Sequence, residues 1–230
     1  MLKTLACLAL IVPSIAFAAR PFVTDDARLT TGGSCQLETW MRVSPDSHQR
    51  WALPACNPSG NLEFTFGVGN TKPEGAQATS DYVFQAKTLF RPLETNGWGW
   101  GVAVGTIRHP ETQPGANMLG NTYAYFPFSA SFNDDHVIVH ANIGWVKDKA
   151  SRLNSASWGV GGEIKLHPEL LGIAETYGDN RGFSYGQVGF RYAVKPDLFQ
   201  VDATLGQQLS GEGSSRSISL GIRYTPDRFF

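Results

Sequence analysis

One-signed charge is missing from this chain, and charge of any kind is sparse. Of its 230 residues 17% are charged, with 19 basic against 20 acidic. Lys and Arg never gather into a run. That balance excludes nucleic acid as an expected partner, because neutralising phosphates takes a concentrated basic face. Beyond the first twenty residues no stretch approaches the eighteen or so uninterrupted apolar residues of a membrane-spanning helix. Helical periodicity is absent, and cysteine is down to three residues. What is plentiful is glycine, 25 residues, and aromatic side chains, 12%. Both suit twisted strands with rings at an interface.

The N-terminus reads as an export address. Lys3 supplies a basic start, Leu5 to Phe17 form a short apolar stretch, and Ala16-Phe17-Ala18 is a small-x-small cleavage site. Residues 1–18 are therefore expected to be a cleaved signal peptide, since the apolar stretch is too short to span as a helix. Cys7 precedes most of that stretch, badly placed for a lipoprotein cleavage site, and should leave with it. Two cysteines remain, Cys35 and Cys56, and an even pair in an exported chain favours a disulfide over a metal site. If 43–48 is a tight hairpin, Cys35 lies directly opposite Cys56, close enough to be bridged.

The dominant pattern is alternation with period two. In 217–224 the even positions are apolar and the odd ones small or charged; 199–206, 187–192, 137–145, 157–164 and 62–68 repeat it. Clusters of Pro, Gly, Asn and Asp mark off about twelve such segments, beginning near Cys35, Arg50, Leu62, Asp81, Trp98, Asn121, His136, Asn154, Leu170, Phe183, Leu198 and Ser215. The second carries Pro54, the sixth carries Pro127, and the ninth is short; a proline removes a ladder donor. Short connections (57–60, 133–135, 167–169, 195–197) alternate with longer polar ones (71–80, 109–120, 147–153, 177–182). That is the pattern of an outer-membrane barrel with short periplasmic turns, and an even strand count returns both termini to one side. A β-sandwich in water also alternates. Gly and Ser at the polar positions, and aromatics at strand ends (Trp98, Trp100, Phe126, Phe128, Trp145, Tyr192, Tyr224), favour the barrel. The expected fold is all-β, a closed antiparallel transmembrane barrel over 35–230, preceded by a periplasmic or luminal segment at 19–34.

Parity sends Glu38, Glu63, Lys87, His140, Glu163, Arg191, Asp202 and Arg223 inward, because Arg or Lys on the lipid face near the midplane costs about 2–4 kcal/mol. They are expected either to line a solute path or to brace a narrow barrel as a salt-bridge network. Arg20 to Leu29, with Asp25 and Asp26, is a candidate luminal plug. His136 and His140 have the spacing of a helical zinc pair, but on a strand they lie about 13 Å apart, too far to share an ion. The glycines of 97–101 recur every second residue with no helix to follow, so they read as small luminal positions and not as a phosphate cradle. Residues 67–72 lack P-loop spacing. No Ser–His pair has the parity of a lipid-facing hydrolase site, so no catalytic residue, metal or cofactor is expected.

Residues 20–27, RPFVTDDA, followed by Gly32-Gly33 and Gln36-Leu37-Glu38, resemble the start of a family of proteobacterial outer-membrane barrels assigned as transporters to the MetA pathway of phenol degradation. The resemblance implies an outer-membrane barrel often encoded with aromatic-catabolism genes. The Cys35–Cys56 pair is not a feature of that resemblance and suggests a subgroup. Many outer-membrane barrels end in Phe, read by the assembly machinery; this chain ends in Phe229-Phe230, with Pro226-Asp227-Arg228 interrupting the alternation, so Tyr224 and Phe230 are the expected assembly signal. Together these readings point to a small uptake channel for small compounds, aromatic or hydrophobic ones among them, with outer-membrane lipid and the assembly machinery as partners. The alternatives are a non-transporting barrel that serves the envelope by structure or binding, and a periplasmic β protein in water.

Overall fold

The computed structural model describes residues 22–110, 120–211 and 215–227. The expected signal peptide at 1–18, Arg20 and the terminal Phe230 lie outside them. The described residues form twelve strands and no helix. In chain order they are β1 (Ser34–Val43), β2 (Ser47–Asn57), β3 (Glu63–Pro73), β4 (Thr79–Arg91), β5 (Trp98–Arg108) and β6 (Asn121–Phe132). Then follow β7 (Val137–Lys147), β8 (Asn154–His167), β9 (Leu170–Asp179), β10 (Ser184–Lys195), β11 (Phe199–Ser210) and β12 (Arg216–Tyr224). Each strand pairs antiparallel with its neighbours in sequence, and β1 closes on β12 from Leu37↔Tyr224 to Val43↔Ile218. Closure leaves no open edge, the condition under which strands can cross a bilayer.

The two midstrand prolines are accommodated by the same device. Pro54 pairs with Leu37 on β1, whereas its ladder to β3 is interrupted between Ala52↔Val68 and Ala55↔Thr65. Pro127 pairs with Asn142 on β7 and falls in the gap of the β5 ladder between Trp100↔Phe128 and Ala103↔Tyr125. Each missing N–H sits where one ladder is already broken, so the strand survives. Cys35 opposes Cys56 in the β1–β2 register, and the two are joined by a disulfide.

One end of the barrel, here distal, carries the connections 44–46, 74–78, 148–153 and 180–183, and there β5 and β11 end and β6 and β12 begin. The proximal end carries 58–62, 92–97, 133–136, 168–169 and 196–198, together with the start of β1 and the end of β12. The proximal β6–β7 turn puts Asn133, Asp134 and Asp135 at φ of 54°, 55° and 60°, a left-handed backbone that Asn and Asp tolerate better than most residues. Hydrogen bonds from the Ser131 and Thr95 hydroxyls hold the Asp135 carboxyl there and keep it below the usual carboxylate range.

Burial is inverted relative to a protein folded for water. Ile143 is 66% exposed and Leu205 62%, while the inward His140 is 1% and Asp202 0% exposed. All strand carboxylates (Glu38, Glu63, Asp81, Glu163, Glu175, Asp179, Asp202) have inward parity. The outer wall is an apolar band with aromatic rings towards both ends. At the proximal rim Trp98 stacks on Phe128 at 6.0 Å, Phe90 meets Trp100 at 4.6 Å, and the Arg91 guanidinium lies 4.2 Å above Trp98.

Candidate functional site

The lumen holds the chemistry, and the chain's own N-terminal segment occupies it. Residues 22–33 lie against the inner wall, from Phe22 beside the midstrand Gly161 and His140 back to the proximal start of β1. Backbone N–H groups of a segment with no strand partner must be satisfied by something else. Here the inward side chains do it. Glu175 accepts from the N–H of Val23 at 2.6 Å and of Thr24 at 2.7 Å. Asn142 accepts from the Asp25 N–H at 2.7 Å and donates to the Asp25 carbonyl at 2.8 Å, as a neighbouring strand would. Ser129 Oγ accepts from the Ala27 N–H at 2.8 Å, and Glu63 accepts from the Thr30 N–H at 2.7 Å.

Two ionic clusters lock this plug. In the first, Lys87 on β4 stands opposite Glu63 on β3 and reaches Asp25 at 2.8 Å and Asp26 at 3.8 Å. The Tyr125 hydroxyl donates to the same Asp25 carboxylate at 2.7 Å. In the second, Arg191 on β10 donates through Nε to Asp202 at 2.6 Å and through Nη1 to Glu163. Arg28 of the plug approaches Glu163 at 3.8 Å and Asp26 at 3.5 Å. His140 joins this cluster to the plug: Nδ1 is 2.8 Å from Ser129 Oγ, Nε2 is 3.9 Å from Glu163, and the Phe22 ring meets the imidazole edge-on at 6.2 Å. Inward glycines make room. A Cβ on Gly161 would collide with the Phe22 ring, and one on Gly159 would come within 2.6 Å of Thr24 Oγ1.

Beside the plug lies a cavity of about 100 Å³, lined among others by Asp26, Glu38, Glu63, Lys87 and Arg223. That volume admits a few waters and is well below the ~300 Å³ of a small-molecule pocket. Towards the distal end the lumen becomes aromatic. Trp40 and Trp51 stack at 6.0 Å on one wall and Tyr177 and Tyr185 at 5.4 Å on another. The Trp51 indole N–H has no acceptor among the described residues. Near the distal mouth His109 Nδ1 lies 2.5 Å from Asp81.

The expected luminal charges thus fall in different settings. Glu63, Lys87, His140, Glu163, Arg191 and Asp202 belong to the two clusters; Glu38 and Arg223 line the small cavity instead, with Arg223 Nε donating to Thr225 at 2.9 Å. Asp25 and Asp26 sit in the plug, and Tyr224 ends β12 on the outer face. Sequence reasoning passed over Glu175, Asn142, Ser129 and Tyr125. Glu175 had the right parity, but it lies on the short ninth segment; the other three are uncharged. Ser129, His140 and Glu163 lie in a row like a hydrolytic triad. Ser129 is fully buried and its oxygen already accepts from Ala27, so nothing can approach it as a nucleophile would require. His136 is exposed in the β6–β7 turn, away from the buried His140, and among the described residues no three His, Cys, Asp or Glu are grouped to hold a metal.

The family model described as "Uncharacterised conserved protein UCP029691" matches residues 6–225, and the chain belongs to that family. The narrower MetA-pathway family that residues 20–38 resemble is not the one this match names. No curated protein matches in sequence. Among solved structures, the COG4313 outer membrane channel from Pseudomonas putida F1 is similar at TM-score 0.65 and 11% identity, over 87% of this chain and 98% of that one. The KdgM porin (TM-score 0.61, 8% identity, 82% and 98% covered) and the NanC porin (0.61, 8%, 83% and 98%) have the same architecture. At such identities the likeness is one of fold, the closed antiparallel β-barrel that these outer-membrane proteins share.

Proposed function

We propose that this member of the family is a passive channel of a bacterial outer membrane for small solutes, held closed by its own N-terminal segment. The observation that carries the reading is the filling of the lumen. An interior meant only to brace the wall can be packed by strand side chains alone. This one is lined with paired charges and glycines that accommodate a separate, non-strand segment, attached to the barrel wall at one end. Removing that segment would leave Glu63, Lys87, Glu163, Glu175 and Asn142 facing an aqueous path, with an aromatic stretch of Trp40, Trp51, Tyr177 and Tyr185 beyond it. Paired acids and bases around a narrow path suit small polar or amphipathic solutes, and the aromatic stretch suits a planar portion. Aromatic compounds are compatible with both.

The second reading, a barrel serving the envelope without transport, is favoured by one observation: the backbone N–H groups of Val23, Thr24, Asp25, Ala27 and Thr30 are all held by wall side chains, and the cavity beside them is only about 100 Å³. Planar-bilayer recordings of the full chain beside a variant lacking residues 22–30 separate the two. The channel reading expects low or intermittent current from the full chain and a steady ohmic current from the deletion. Silence from both, with heat-modifiable gel mobility showing that both barrels are folded, would overturn it in favour of the structural reading.

A further inference from the structure

Charge on the strands' outer face is basic, and most of it is distal. Whereas the strand carboxylates all have inward parity, Arg50 on β2, Lys72 on β3, Arg108 on β5, Lys147 on β7 and Arg216 on β12 have outward parity and stand towards the distal ends of their strands, with Arg91 over Trp98 at the proximal rim. Three basic side chains converge. His48 on β2 is directly opposite Lys72 on β3, and Arg50 follows two residues on, opposite Asn70. His48, Arg50 and Lys72 are all exposed. Opposed residues on one face have Cβ atoms about 5 Å apart and residues two apart are about 7 Å apart, so the three tips can reach one anion. Among the described residues no ion pair is formed by any of them. The nearest acids in sequence, Asp46 and Glu74, lie in the turns beyond the strand ends, which are tied by a 2.8 Å bond from the Glu74 N–H to the Asp46 carbonyl.

Arg50 and Lys72 are like charges on adjacent strands with no outward carboxylate beside them, an arrangement that an anion held between them would offset. Directly below, towards the barrel's middle, the same face is apolar: Phe66, Val68, Tyr82 and Phe84 are exposed side by side on β3 and β4. A cationic cluster above an apolar patch, at the level where a bilayer passes from headgroups to chains, complements one occupant. We infer that His48, Arg50 and Lys72 form a binding site on the outer wall for the phosphate of a phosphorylated membrane lipid, whose acyl chains lie over Phe66, Val68 and Phe84. The site rests on the barrel standing in a membrane. It is independent of whether the lumen conducts, so silent bilayer recordings would leave it intact.

The test uses the full-length protein in neutral detergent and native mass spectrometry to count bound lipid. The probes are phosphatidic acid, phosphatidylcholine and inorganic phosphate. Phosphatidic acid should bind at least tenfold more tightly than phosphatidylcholine. Each cation near a membrane surface contributes about fivefold, so Arg50→Gln with Lys72→Gln should weaken that binding about thirtyfold. Lys147→Gln, outward on the far side of β6, should leave it unchanged. If the double variant loses heat-modifiable mobility, Lys72→Gln alone is read instead, with about a fivefold loss expected. Equal affinity for the two lipids, undiminished binding by the variants, or equal loss in Lys147→Gln would overturn the site. Inorganic phosphate that competes as well as the lipid would overturn the lipid as its occupant.

Discussion

Arg191 is gripped from two sides, by Glu163 and by Asp202, with all three side chains buried. Arg28 makes longer contacts from a side chain 40% exposed. Arithmetic of position therefore separates two arginines that share one lumen. Removing a buried cation strands its carboxylates, which costs about 3–5 kcal/mol, whereas an exposed ion pair contributes about 0–1 kcal/mol. Arg191→Met should lower the unfolding free energy in phospholipid vesicles by the larger amount and Arg28→Met by the smaller, read from denaturant titrations. Similar losses from both would show that water in the lumen screens the deep cluster as it screens the shallow one. Parity alone located Arg191, because an alternating strand has two faces and only one tolerates charge. It could not tell Arg191 from Arg223, since both are inward arginines in near-identical local sequence and differ in what the neighbouring strands set beside them, Asp202 against Arg191 and Glu38 against Arg223.

At the scale of elements, the β1–β2 hairpin carries both a tight turn and a covalent tie. Ser44 and Ser47 hydrogen-bond across the turn, which sets the register that brings Cys35 opposite Cys56. A crosslink closing a loop of this size stabilises by about 3 kcal/mol in the chain-entropy account. Cys35→Ser with Cys56→Ser should lose about that much while keeping strand content and heat-modifiable mobility, because the ladders to β12 and β3 hold the register independently. Collapse of the barrel in the double variant would mean that the disulfide directs strand pairing as well. Strand starts were legible to within three residues, even for the two proline-bearing segments. What the sequence could not display was the ladder gaps that excuse Pro54 and Pro127, because a gap belongs to a pair of strands and not to one.

For the whole molecule, the question is whether plug and barrel are separable. Gly159 and Gly161 offer a way to move the plug without touching its residues. Gly161→Val with Gly159→Val should push Phe22 and Thr24 from the wall of β8, raising conductance towards that of the 22–30 deletion with the barrel still folded. An unchanged current from a folded double variant would show that the segment can shift aside without opening a path, and the plug would then not be the gate.

The sequence by itself determined the strand count, the inward and outward faces, the hairpin that aligns the cysteines, and the polarity of the lumen. Period-two alternation is a local property, and the cost of charge against lipid makes each face unambiguous. Only the tertiary structure decided which luminal charges meet, and that Glu175, Asn142 and Ser129 serve as surrogate strand partners for residues 23–27. The contacts of residues 23–27 with Glu175, Asn142 and Ser129 join positions more than a hundred apart, such as Glu175 and Thr24, and no local pattern carries the shape of a closed barrel.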